Sequence, residues 1–95
     1  MKRNARAAYN ALKRLGAPVY DHDGGQLAHF VIGAELRDST DQRYCDYYQE
    51  EVKEHVAAGR IVNAFGIRQD VLDILAANGL FAEWINAGMV GVYDA

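Results

Sequence analysis

Residues 80–93, Leu-Phe-Ala-Glu-Trp-Ile-Asn-Ala-Gly-Met-Val-Gly-Val-Tyr, decide the fold class. Leu80 to Ile85 and Met89 to Tyr93 are short runs rich in aromatic and branched residues, separated by Asn86-Ala87-Gly88. Two such runs around a Gly-bearing turn read as a β-hairpin. A second hairpin is expected upstream, from Pro18–His22 and Leu27–Glu35 joined by Asp23-Gly24-Gly25-Gln26, because Asp-Gly and Gly-Gly supply positive φ at low steric cost. In its second strand Ala28, Phe30, Ile32 and Ala34 share one face, and Leu27, His29, Val31, Gly33 and Glu35 share the other. Both faces are partly apolar, as in a central strand covered on one side and partly covered on the other.

Three helices surround these hairpins in sequence order. Residues 3–15 have Ala5, Ala8, Leu12 and Leu15 at three- and four-residue spacings, with Gly16 suited to the position past the helix end and Pro18 blocking continuation. At about 100° per residue, Lys2, Arg3, Arg6, Asn10, Lys13 and Arg14 fall in one arc of roughly 120° opposite that stripe. A second helix is expected from about 40 to 58, opened by Asp38 or Ser39 with Gln42 as a capping box. Its apolar arc would be Tyr44, Cys45, Tyr48, Val52, His55 and Val56, with Asp46, Glu50 and Glu54 outside beside Arg43, and Tyr47 at the border. Residues 60–67 carry no clear period. Residues 69–78 read as a short helix with Val71, Leu72, Ile74 and Leu75 inward, ended by Asn78-Gly79.

The expected order is therefore α-β-β-α-α-β-β. It describes one α+β domain over residues 1–95, with an antiparallel sheet of three or four strands and helices covering mainly one face. The expected core contains Leu12, Leu15, Phe30, Ile32, Tyr48, Val52, Leu72, Leu75, Trp84 and Val92. Ninety-five residues, 51% of them apolar, suffice for one core but not for two. No apolar run approaches the roughly 20 residues needed to cross a bilayer, and nothing resembles a secretory leader, so no membrane role is expected. The single cysteine fits a reducing cytosol.

The net charge of −3 hides a split. Lys2, Arg3, Arg6, Lys13 and Arg14 are half of the ten basic residues, and no acid lies among the first fourteen positions. The other 81 residues hold five bases against thirteen acids, a balance of −8. An acidic body argues against nucleic acid as the partner. Phosphate contact through the basic first helix is the alternative, since each such contact adds a salt-dependent ion pair.

Candidate chemistry is thin. Asp21, His22, Asp23 and His29 are the densest group of potential metal ligands, with His22 and His29 facing each other across the first hairpin if its turn is tight. The same residues are ordinary turn formers, and no Cys pair or HExxH spacing accompanies them. A metal-binding protein or small enzyme built on His22 and His29 is therefore kept only as an alternative. Cys45 and His55 stand ten residues apart on the expected helix, about 15 Å along its axis, too far to act as nucleophile and base. The glycines form neither a P-loop nor GxGxxG. Ser39 and Thr40 are the only hydroxyl nucleophiles besides tyrosine, and Ser39 stands at an expected cap. No catalytic residue, cofactor or tightly bound metal is expected.

The acidic helix with its tyrosines is the more informative feature. Asp46, Tyr47, Glu50 and Glu54 are the candidate contact residues for a protein partner, carboxylates steering a basic surface and tyrosine supplying contact area. The basic arc and this acidic arc could also pair between two copies. A homodimer is expected on that ground, with Tyr9, Tyr47, Met89 and Tyr93 supplying apolar area and strand edges joining.

The stretch Gly79–Gly88 (GLFAEWINAG) with Val92-Tyr93, together with Ala8–Lys13 (AYNALK) and Gly16–Val19 (GAPV), resembles parts of short phage and prophage proteins. The resemblance covers about a third of the chain and includes no catalytic motif. It implies a small accessory protein of the bacterial cytoplasm and transfers no functional residue. The function expected is binding of a protein, as an accessory factor or an inhibitor of a host factor.

Overall fold

The computed structural model describes residues 1–21, 28–35, 43–49, 52–59 and 65–95, and for residues 52, 54 and 55 the backbone only. Helix α1 spans Arg3–Leu15, strand β1 Val19–Asp21, β2 Phe30–Gly33, helix α2 Val52–Ala57, α3 Gln69–Ala77, β3 Leu80–Asn86 and β4 Met89–Asp94. The strands form one antiparallel sheet in the order β1-β2-β4-β3. The α+β class, the element order and a four-stranded sheet built from the two hairpins are as the sequence predicts.

Local chemistry explains the ends of α1. Gly16 turns left-handed at φ 103°, and its N–H donates to the Leu12 and Lys13 carbonyls. Ala17 N–H also reaches Leu12, so two carbonyls of the last turn are satisfied and the chain is aimed into β1. The register then builds the core. Phe30 pairs with Val92, and Ile32 lies between Val19 and Val90. These side chains meet Ala5, Ala8 and Leu12 of α1 and Val71 and Leu75 of α3, and all but Val19 are fully buried. Tyr9 closes the layer with its ring edge-on to Phe30 at 5.4 Å. Both α1 and α3 thus cover the same sheet face. All four residues of β2 are buried, as a central strand requires.

The stretch expected as one helix departs from expectation: among its described residues only Val52–Ala57 are helical, while 43–49 are extended and turn. Cys45 pairs antiparallel with Ile67, Asp46 N–H donates to the Gly66 carbonyl at 2.6 Å, and Arg68 N–H donates to the Tyr44 carbonyl at 3.0 Å. Gln49 then takes φ 54°, outside the helical region. Backbone partners more than a dozen residues away in sequence, at Gly66, Ile67 and Arg68, replace the helix that the side-chain spacing suggests.

The expected core shifts accordingly. Tyr48, expected inside, is 70% exposed in the turn after the bridge, and Leu15, the last residue of α1, is 37% exposed. Leu72 and Trp84 are half-buried against the core. The Asp23–Gln26 turn, the Ser39 cap with Gln42, and the Val52 side chain lie outside the described residues.

Candidate functional site: an aromatic cleft beside the edge strand

The Cys45–Ile67 bridge carries a polar cluster. Asp46, expected on an outer helix face, is 1% exposed, and its carboxylate takes an ion pair from Arg43 at 3.4 Å. The reason is the extended backbone, which turns Asp46 inward where a helix would have turned it out. Arg68 stacks on the Tyr44 ring at 4.0 Å and donates twice to Asp70. The Tyr44 hydroxyl donates to the Leu15 carbonyl at 2.9 Å, tying the cluster to the end of α1. Burial pushes the Cys45 thiol up to about 12, only partly opposed by the charge of Arg68. That cysteine is a packed side chain and not a thiolate nucleophile.

The same bridge sets a row of rings at the surface. Tyr47 and Tyr48 meet edge-to-face at 5.1 Å, and Tyr47 meets Trp84 of β3 in the same way at 5.1 Å. Trp84 Nε1 donates to the Phe65 carbonyl at 2.9 Å, which holds residues 65–67 beside β3. Between them lies a cleft of about 230 Å³ lined by Phe65, Ile67, Leu72, Ala82, Glu83 and Trp84. Tyr47 is 48% exposed and Phe65 72% exposed. Five of its six lining residues are apolar, so it can hold an apolar or aromatic side chain, with the Glu83 side chain on the opposite face of β3. They offer no nucleophile.

Of the acidic candidates, Tyr47 is exposed as expected and Asp46 is not. Glu50 and the Glu54 side chain lie outside the described residues. The basic candidates Lys2, just before α1, and Arg3, Arg6, Lys13 and Arg14 on it are all exposed, but they do not act as one free cationic face. Lys2 bonds Asp94 at 3.0 Å, Arg6 lies 3.8 Å from Asp21, and Arg6 and Lys13 flank the Tyr9 ring at 5.3 and 5.7 Å. His29 Nε2 is 3.0 Å from Asp94 Oδ1. His22 and Asp23 lie outside the described residues. Among the described residues no group of three or more His, Cys, Asp or Glu side chains could hold a metal ion. Tyr9 is half-buried on Phe30, while Met89 and Tyr93 are half-buried on the sheet.

Phe65 and Glu83 are absent from the sequence-derived candidates, and the sequence places Trp84 in the core, against which it is half-buried. Their proximity depends on the 45–67 bridge and on the strand order, neither of which leaves a local signal. No helix among the described residues is long and apolar enough to cross a membrane. No family model, curated protein or solved structure matches the chain.

Proposed function

We propose that the domain binds a protein partner through the Phe65–Trp84 cleft and the Tyr47–Tyr48 pair beside it, acting as a small accessory or inhibitory factor. The observation that carries this reading is the group of exposed rings around one apolar cleft. Tyr48 and Phe65 are 70% and 72% exposed, and contiguous exposed apolar surface of this kind marks interaction sites. Tyrosine and tryptophan are also the side chains that most often dominate binding energy when a partner removes them from water. Glu83 is the one charged residue bordering the cleft, with its side chain on the other face of β3, and the chain after residue 14 is strongly acidic, so the partner presents basic residues around its apolar anchor.

Phosphate binding by α1 is less well supported, because Lys2 and Arg6 already face Asp94 and Asp21. Catalysis has no support from Cys45, which burial holds in the thiol form. The bacterial or phage setting to which the sequence resemblance points supplies the source for a test. Affinity capture from bacterial lysate should yield a basic protein with the wild-type chain and lose it with the double variant Tyr48→Ser, Phe65→Ser. Both positions are exposed, so the fold should survive, which circular dichroism checks. Capture unchanged by this variant but lost with Arg3→Glu, Arg14→Glu would move the contact surface to α1.

A further inference from the structure

Strand β3 ends the sheet and is its long edge. It has seven residues against three in β1 at the opposite edge. Among the described residues it pairs only with β4, and no other backbone group hydrogen-bonds to the backbone of residues 80–86. A row of unpaired N–H and C=O groups of this length is a template for another strand unless it is blunted. The irregularity between Trp84 and Asn86 blunts only its far end.

The two sides of β3 differ. Ala82 and Trp84 line the apolar cleft, while Phe81 and Glu83 belong to the other face. There the Phe81 ring packs against Tyr93 at 5.7 Å, and Tyr93 lies across Gly91, where a Cβ would stand 2.7–2.9 Å from the phenol. Gly91 is also the cross-strand neighbour of Glu83. The position opposite Glu83 within the sheet is therefore taken by the Tyr93 ring and by no charged group, and Glu83 has no ion-pair partner among the described residues. Its vacant cross-strand position is on the outer side of β3.

We propose that the β3 edge accepts an extended, basic segment of the protein partner as a fifth strand. Alternate residues of that strand place apolar side chains in the cleft and Lys or Arg beside Glu83 and the Phe81–Tyr93 rings. Backbone hydrogen bonds supply the alignment, and ion-pair and cation–π contacts select the basic residues. The proposal rests on the cleft reading above and adds the mode and chemistry of binding. A second copy fits less well. The two-fold register that pairs all seven residues puts Glu83 directly opposite Glu83, and like charges so placed are destabilising. Single-stranded nucleic acid also stacks on exposed sheet aromatics, but it needs a cationic groove where this edge has a carboxylate.

The test uses the full chain, labelled with ¹⁵N, and an acetylated nonapeptide alternating lysine and valine. The peptide should shift the amide resonances of residues 81–85 and slow exchange of the outer β3 amides at least tenfold. A glutamate–valine peptide should do neither, and Glu83→Lys should weaken binding of the lysine peptide at least tenfold. N-methylation along one edge of the peptide should abolish binding. Equal binding after N-methylation, or shifts at Phe65 and Trp84 without β3 protection, overturns strand addition while leaving the cleft reading standing. Loss of the cleft reading is seen separately, as lysate capture indifferent to Tyr48→Ser, Phe65→Ser. Protection of β3 that rises with protein concentration and needs no peptide overturns the proposal in favour of self-pairing.

Discussion

The covered and open faces of the sheet are built from different chemistry. Under α1 and α3 lie Phe30, Ile32, Val90 and Val92, all fully buried. On the opposite face Tyr20 and Phe81 are 45% and 41% exposed, and Tyr93 and Met89 are half-buried. Aliphatic branches interlock and exclude water, whereas rings with one wet edge keep contact area available. The comparison teaches that the tightest packing lies under the helices while the open side keeps half-wet rings; the cleft, walled by Ala82 and Trp84, belongs to the covered side at the β3 edge.

The division is broken or upheld most directly by paired truncations. Phe30→Ala should cost about 3–5 kcal/mol, the usual range for deleting a fully buried phenylalanine. Phe81→Ala should cost roughly 1 kcal/mol, since much of that ring already meets water. Urea midpoints compare the two. Equal losses would mean that the open face is part of the core.

A second pair separates the bridge from the framework. Gly66 and Gly79 both have positive φ, 82° and 71°. A side chain at Gly79 meets nothing within 4 Å, while one at Gly66 runs into the Asp46 carbonyl. Gly79→Ala should therefore lose only the roughly 1–2 kcal/mol of a left-handed alanine. Gly66→Ala should lose more and should open the Cys45–Ile67 pairing. The protected thiol reports that opening. Cys45 should react slowly with a thiol reagent at pH 8 in the wild type and in Gly79→Ala, and faster in Gly66→Ala. Equal rates in both variants would show that the bridge tolerates the added methyl.

These pairs also mark where the sequence is legible. Helix α1 is legible to the residue because its stop is local: Gly16 takes the left-handed turn and Pro18 prevents more helix. The β3–β4 hairpin is legible because both strands and their turn lie within fifteen residues. Residues 43–49 are not. Tyr44, Tyr48 and Val52 repeat every four positions and imitate a helix face, but Tyr44, Cys45 and Asp46 find their backbone partners at Arg68, Ile67 and Gly66. Nothing near them in sequence announces those partners, and residues 60–67 show no periodicity. Side-chain spacing misplaces Asp46 for the same reason, since a carboxylate is buried only when a partner such as Arg43 is brought to it. The candidate site was legible at Tyr47, an exposed ring on any local geometry. Glu83 acquires its meaning only once β3 is an edge and Gly91 stands across from it.

The smallest expected effect lies at the rim where the covered face meets the last residues of β4. Asp94 accepts hydrogen bonds from Lys2 at the start of α1 and from His29 before β2. The Lys2 bond, then the His29 bond, holds its carboxyl below the ordinary 3.8. A carboxyl lowered on folding stabilises the folded chain fully above its unfolded value, near pH 4. As the pH falls below that value the unfolded chain takes up its proton first, and the contribution disappears as the pH passes through the lowered folded value. Asp94→Asn should therefore reduce the urea midpoint slightly at pH 7, and the gap from wild type should close as the pH falls through the lowered folded value. Because the Lys2 and Asp94 side chains are 60% and 50% exposed, added salt should narrow the gap at neutral pH as well. A gap that stays constant across both titrations would show that Asp94 holds the rim by shape, with its charge contributing nothing.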